Sequence, residues 1–245
     1  MALTDNLISY WKLDEASGNA LDAHGSNDLT DTNTVGSATG IINNGRDFED
    51  TNSEYFTIAD NASLSTGDID FTVQAWIKPE SLVGNLTYVM SKGKVGQVGS
   101  EYALHINFSD TPAFQVVSGV PSAATATWGS ALSAGTLYHL LAWHDASANQ
   151  VGITVNDGTP VTASFSDGSQ DGTKPFRIGL DSETTASSYF DGVIDECAFW
   201  KRMLTAGERT QLYNSGSGLA YPFSVANPKG VFGMPFDGPF RRVVM

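Results

Sequence analysis

Over residues 71–78 apolar and polar side chains alternate without a break. Phe71, Val73, Ala75 and Ile77 fall on one face and Thr72, Gln74, Trp76 and Lys78 on the other. A period of two marks an extended strand, because successive side chains leave opposite sides of the backbone. Pro79 offers no amide hydrogen to a ladder and predicts the strand's end. Residues 193–200 carry the same period, with Val193, Asp195, Cys197 and Phe199 predicted on one face and Ile194, Glu196, Ala198 and Trp200 on the other. Both faces are mostly apolar, so this strand is expected to lie between two layers. Shorter strands are predicted at 8–13, 89–92, 102–108, 114–117, 137–144, 151–155, 161–165 and 176–179, with 45–48 and 55–58 read as a pair. Asn156-Asp157-Gly158 is hairpin-turn chemistry that asks for positive φ. Thr205 followed by Glu208 is a capping box that starts a short helix, which ends at 214–216. Strands this short and evenly spaced, with one helix, predict an all-β, two-sheet antiparallel sandwich.

Several pieces go further than periodicity. Residues 192–196 read Gly-Val-Ile-Asp-Glu, 204–208 read Leu-Thr-Ala-Gly-Glu, and 212–214 read Leu-Tyr-Asn. Near the start, 10–18 read Tyr-Trp-Lys-Leu-Asp-Glu-Ala-Ser-Gly, followed by an Asp/Gly/Asn-rich loop, and 71–79 read Phe-Thr-Val-Gln-Ala-Trp-Ile-Lys-Pro. In this order the pieces resemble laminin G-like jelly rolls of the concanavalin A-like lectin/glucanase superfamily, over about residues 7–218. The resemblance implies a jelly roll in which the first and last strands lie side by side. It implies no ligand, since unrelated functions share such folds. Many sandwiches of the superfamily hold a structural Ca²⁺, and Asp22, Asn27 and Asp28, with Asp195, are the oxygen-bearing candidates here. Its glycosidases carry a Glu-x-Asp-x-Glu run, which is absent. Asp195 and Glu196 are neighbours in a strand and face opposite ways, which argues against a catalytic pair.

The 245 residues suffice for one all-β domain, taken as 1–220, plus an extended C-terminal arm, 221–245. In the arm prolines alternate with Phe223, Phe232, Phe236 and Phe240, and Arg241 and Arg242 stand near its end. Lys229, Arg241 and Arg242 against Asp237 leave the arm at +2, so the body carries the remainder of the formal −14, or −16. That acidity argues against nucleic-acid binding, which needs a basic footprint. No apolar run reaches membrane-spanning length, so no membrane insertion is expected. The residues after Met1 show neither a basic nor an apolar leader region. Cys197, the single cysteine, sits in an apolar strand and reads as a buried, inert thiol. His139 and His144 are an odd number apart and point to opposite faces, which rules out a local two-histidine metal site.

Two function classes follow. The first is a non-enzymatic surface structural or adhesion protein: a component of a virion surface (capsid decoration, tail or fibre), anchored through residues 221–245 to other virion or surface proteins or to copies of itself. The second is a lectin-like module of a secreted or cell-surface protein, binding glycans on aromatic platforms. Trp128, in a small-residue loop, and Tyr189 are the candidate ligand-binding aromatics. Export through a particle and the composition of the arm favour the first.

Overall fold

The computed structural model describes residues 1–119, 122–182 and 188–223. The alternating stretch forms a strand whose odd-numbered residues, Phe71, Val73, Ala75 and Ile77, all enter the main core. In chain order the strands are β1 (Leu7–Trp11), β2 (Thr30–Thr32), β3 (Gly36–Thr39), β4 (Asn44–Phe48), β5 (Tyr55–Ile58), β6 (Phe71–Pro79), β7 (Thr87–Lys92) and β8 (Tyr102–Ile106). They continue as β9 (Pro112–Val117), β10 (Ala123–Thr127), β11 (Tyr138–Asp145), β12 (Gln150–Val155), β13 (Val161–Ser164), β14 (Phe176–Ile178) and β15 (Gly192–Trp200), before the helix α1 (Ala206–Tyr213). One sheet runs β13-β12-β11-β6-β15-β4-β3, with β1 also on β15; the other runs β10-β9-β8-β7-β14-β5-β2. Their facing sides bury one continuous apolar layer, including Trp11, Phe48, Phe56, Leu104, Phe114 and Phe176. This is the jelly-roll sandwich, and its first and last strands pair as expected, with Tyr10 opposite Ala198 and Trp11 opposite Cys197.

β15 is buried along its whole length and has layers on both sides. Its outer side lies under α1, where Leu212 joins Leu7, Tyr10, Leu141, Trp143 and Trp200. Tyr213 stacks on Trp76 at 5.8 Å, and the Arg209 guanidinium lies 4.9 Å from the Trp143 ring centre. The capping box is formed: the Thr205 hydroxyl accepts the Glu208 N–H, and the Glu208 carboxylate accepts the Thr205 N–H. Asn156 and Asp157 both adopt positive φ, 52° and 56°, as the hairpin turn requires. His139 stacks on Trp76 on the outer side, while His144 meets the core rings of Phe71 and Phe165.

Two expectations change. The single alternation of residues 193–200 is broken by a β-bulge between Asp195 and Ala198, with Glu196 at φ 49°. Ile194, Cys197 and Phe199 therefore face the core together, and Ala198 and Trp200 face the helix. The cause is topological: one edge of β15 pairs with β4 at Gly192–Ile194 and with β1 at the Trp200 end, and the bulge absorbs the changeover. The expected pairing of β4 with β5 is also absent. A 3-10 turn (Asp50–Asn52) ending at a left-handed Ser53 carries the chain from one sheet to the other.

Tyr221 and Phe223, the first two aromatics of the segment expected to form an arm, pack on the sandwich. Tyr10 stacks on Tyr221 at 4.8 Å and meets Phe223 edge-on at 5.4 Å. Phe232, Phe236, Phe240, Arg241 and Arg242 lie outside the described residues. No helix among the described residues is long and apolar enough to cross a membrane.

Candidate functional site

An open cleft of about 180 Å³ sits at one rim of the sandwich. Four chain segments converge on it: the 3-10 turn between β4 and β5, the β6–β7 loop, the β8–β9 turn and the approach to β15. Tyr189 and Asp191 come from the last of these, and Gly192 explains why they stay there. Its φ is +125°, and a Cβ at this position would collide with the Lys78 carbonyl oxygen, so only glycine brings β15 this close to β6. The Glu80 N–H donates to the Asp191 carbonyl at 2.9 Å and fixes the same junction. Tyr189 stands beside Tyr55 with ring centres 6.3 Å apart, and the Arg177 guanidinium covers Tyr55 at 4.8 Å. The aromatic wall is thus backed by a cation–π contact.

Opposite, the β6–β7 loop contributes Ser81, Leu82, Val83 and Asn85, and β7 contributes Thr87. The loop is tied to the β8–β9 turn because the Gly84 N–H donates to Asp110 Oδ1 at 3.0 Å. That turn is built by Asn107, whose Oδ1 accepts the N–H groups of Ser109 and Thr111. Its geometry pushes Phe108 outward: it is 70% exposed and is the one exposed aromatic among the described residues. Val83, 68% exposed, lies in the neighbouring loop. An apolar wall with a few convergent polar groups has the composition of a small-ligand site.

The rim is strongly negative. Asp50, Asp110 and Asp191 line the cleft, and Asp47, Glu49 and Glu80 bring carboxylate oxygens within 4.8 Å of one another beside it. Burial, and then the charge of Glu54 and Asp191, raise the Asp47 carboxyl above its ordinary value; burial, then Asp191, Asp47 and Glu80, do the same for Glu49.

The candidates read from the sequence separate. Tyr189 lines the cleft. Trp128 does not: it is half-buried at the core margin, with its ring against Gly158, where a Cβ would come within 2.8 Å. Asp22 organises its own loop, with Oδ1 accepting the N–H groups of Tyr10, His24 and Gly25 and Oδ2 that of Asn27. Burial alone would push its carboxyl up; the backbone bonds from Gly25, Tyr10 and Asn27 hold it below the usual carboxylate range. Asp28 accepts the Asp22 N–H, and the Asn27 side chain bridges Ser9, Asn61 and Ser63. Asp195 is elsewhere, accepting the N–H groups of Ile41, Ile42 and Glu196. These carboxylates face donors of hydrogen rather than one another.

Asp195 and Glu196 are both 1% exposed. Glu196 Oε2 accepts the Tyr10 hydroxyl, and its Oε1 has no partner. Burial pushes the Glu196 carboxyl up to about 8, against the pull of the Tyr10 bond. Neither residue reaches the cleft. The outer face of the second sheet is also closed at its centre by residues 93–100, where the Val95 N–H donates to the Tyr88 hydroxyl and the Gly96 N–H to Gln115 Oε1.

A family model described as the concanavalin A-like lectin/glucanases superfamily matches residues 50–208. The chain belongs to this superfamily. Among solved structures, the binding domain of Paraclostridial Mosquitocidal Protein 1 superposes with a TM-score of 0.72 at 14% identity, over 88% of this chain and 53% of that one. Domain 4 of an extracellular arabinanase from Geobacillus stearothermophilus, in complex with arabinotriose, gives 0.63 at 18% identity, over 84% and 97%. The binding domain of Botulinum Neurotoxin DC, in complex with SialylT, gives 0.67 at 12% identity, over 87% and 52%. The chain spans about half the length of the two toxin domains. At such identities the likeness is one of fold. No curated protein sequence matches the chain. Phe108 escaped sequence reasoning because residues 102–108 read as one strand, although Asn107, Ser109 and Asp110 already carried a turn signal.

Proposed function

We propose that this domain is a carbohydrate-binding module of a secreted or cell-surface protein, and that it binds its glycan at the rim cleft without turning it over. The observation that carries the reading is a small polar cleft lined by Tyr189, with the exposed ring of Phe108 on the turn that supplies the lining residue Asp110, in a fold whose buried pair Asp195 and Glu196 lies away from it. A sugar ring offers an apolar face and a rim of hydroxyls, which such a wall and such acceptors match. The cleft is smaller than the roughly 300–1,000 Å³ of drug-sized sites, so it fits one ring of a longer glycan. Two solved neighbours hold saccharides, arabinotriose and SialylT, which supports the same class of ligand.

The reading as an anchored virion-surface component rests on an arm of residues 221–245, of which 224–245 lie outside the described residues. The described start of the arm, Tyr221 and Phe223, sits on its own domain, which supports a self-contained module. A glycan array on the intact chain, followed by titration calorimetry of the strongest hit, tests the proposal. Phe108→Ala and Tyr189→Ala are each expected to lower affinity tenfold or more while leaving the melting temperature in place. Absence of any glycan binding, or binding unchanged in both variants, would overturn it.

A further inference from the structure

The cleft's charge narrows the ligand class, an inference that rests on the carbohydrate-binding reading. We infer that the cleft accepts a neutral sugar through its hydroxyl groups and rejects sugars that carry a carboxylate, such as sialic and uronic acids. Every charged side chain lining it is an acid: Asp50, Asp110 and Asp191. No donor among the described residues is bonded to the carboxylates of Asp50 or Asp191, and Asp110 spends only Oδ1 on Gly84. These oxygens are free to exchange water for sugar hydroxyls, which donate to them; charge-assisted hydrogen bonds of this kind are among the stronger ones. Ser81, Asn85 and Thr87 can donate to ring or hydroxyl oxygens in return.

A ligand carboxylate would meet the opposite situation. Behind the lining acids stand Asp47, Glu49 and Glu80; burial first, and then the negative charge of neighbours that include Asp191, raises the carboxyls of Asp47 and Glu49. The cations nearby do not line the cleft. Arg177 covers Tyr55 and donates to the Asp181 carbonyl at 2.6 Å, and Lys78 is felt by Asp47. Like charges brought together in a partly desolvated site repel, and that repulsion is a device for excluding wrong ligands. The sialylated ligand named for the botulinum domain is therefore the kind that this rim disfavours.

The test uses the intact chain and a panel of neutral oligosaccharides, each paired with its sialylated or uronic-acid analogue, by titration calorimetry at two salt concentrations. A neutral member is expected to bind at least tenfold more tightly than its acidic partner, with the gap shrinking at high salt. Asp191→Asn should weaken the neutral sugar about tenfold. Glu49→Gln, outside the lining, should narrow the gap while leaving neutral-sugar affinity within about twofold, which a merely steric preference would not do. Equal or tighter binding of the acidic partner, lost in Tyr189→Ala, would overturn the selectivity and leave the carbohydrate reading standing. No binding by either member would overturn that reading itself.

Discussion

Replacing Glu196 by Gln removes one proton-binding site from the buried junction of β1, β4 and β15 and keeps its shape. In the native protein Glu196 accepts the Tyr10 hydroxyl and has a second oxygen without a partner, 1% exposed, so the uncharged acid is the form that burial favours. Its carboxyl is pushed from 4.5 up to about 8, first by burial and then by Asp195, against the Tyr10 bond. A group raised on folding holds its proton more tightly in the folded state. Its stabilising effect is complete below the unfolded value near 4.5 and is lost as pH rises toward about 8. At about 1.36 kcal/mol per unit, this group alone removes at most about 4 kcal/mol between pH 4 and 8. The glutamine carbonyl still accepts from Tyr10 and titrates nowhere in that range. Urea unfolding at pH 5 and pH 8 should therefore show the native chain losing several kcal/mol, and Glu196→Gln losing clearly less, with the two within about 1 kcal/mol of each other at pH 5. Parallel pH profiles for the two proteins would refute the assignment of a proton to Glu196.

Lys92 and Glu101 form a fully buried pair at 2.6 Å that also ties in Asp60 and the Gly172 carbonyl, so Lys92→Met should cost about 3–5 kcal/mol in urea unfolding by leaving Glu101 uncompensated. Gly192→Ala should cost several kcal/mol, or fail to give folded protein by circular dichroism, because φ +125° and the Lys78 carbonyl leave no room for a Cβ. Adding Ca²⁺ should leave the melting temperature of the native chain unchanged at the Asp22 loop, whose carboxylate oxygens accept four backbone N–H groups; a rise that disappears in Asp22→Asn would show a bound ion.

Local rules made much of this fold readable. Alternation at 71–78, the Asn156-Asp157-Gly158 turn and the Thr205/Glu208 cap each depend on a few neighbouring residues, and each appears as expected. The bulge at Glu196 was hidden because its cause is remote: two different strands share one edge of β15, and nothing in the local run of Asp195, Glu196 and Cys197 signals a positive φ. The crossing from β4 to β5 was hidden for a similar reason, since two short strands separated by a polar turn resemble a hairpin until the other sheet claims one of them. At the candidate site, Tyr189 was legible as an aromatic beside a strand start. Trp128 misled because its small neighbours promised exposure, whereas Gly158, far along the chain, gives its ring a surface to cover. The acidic rim gathers Asp50, Asp110 and Asp191 from three distant segments, a proximity that only the assembled sandwich creates.

Amide chemical-shift mapping of the isotope-labelled intact chain, titrated with its strongest neutral glycan hit, is the most direct test of where a sugar binds. Shifts concentrated at residues 81–85, 107–110 and 189–191 are the predicted result. Shifts confined to the outer face of the second sheet around Tyr88, His105 and Gln115, or no saturable shifts at all, would contradict binding at the rim.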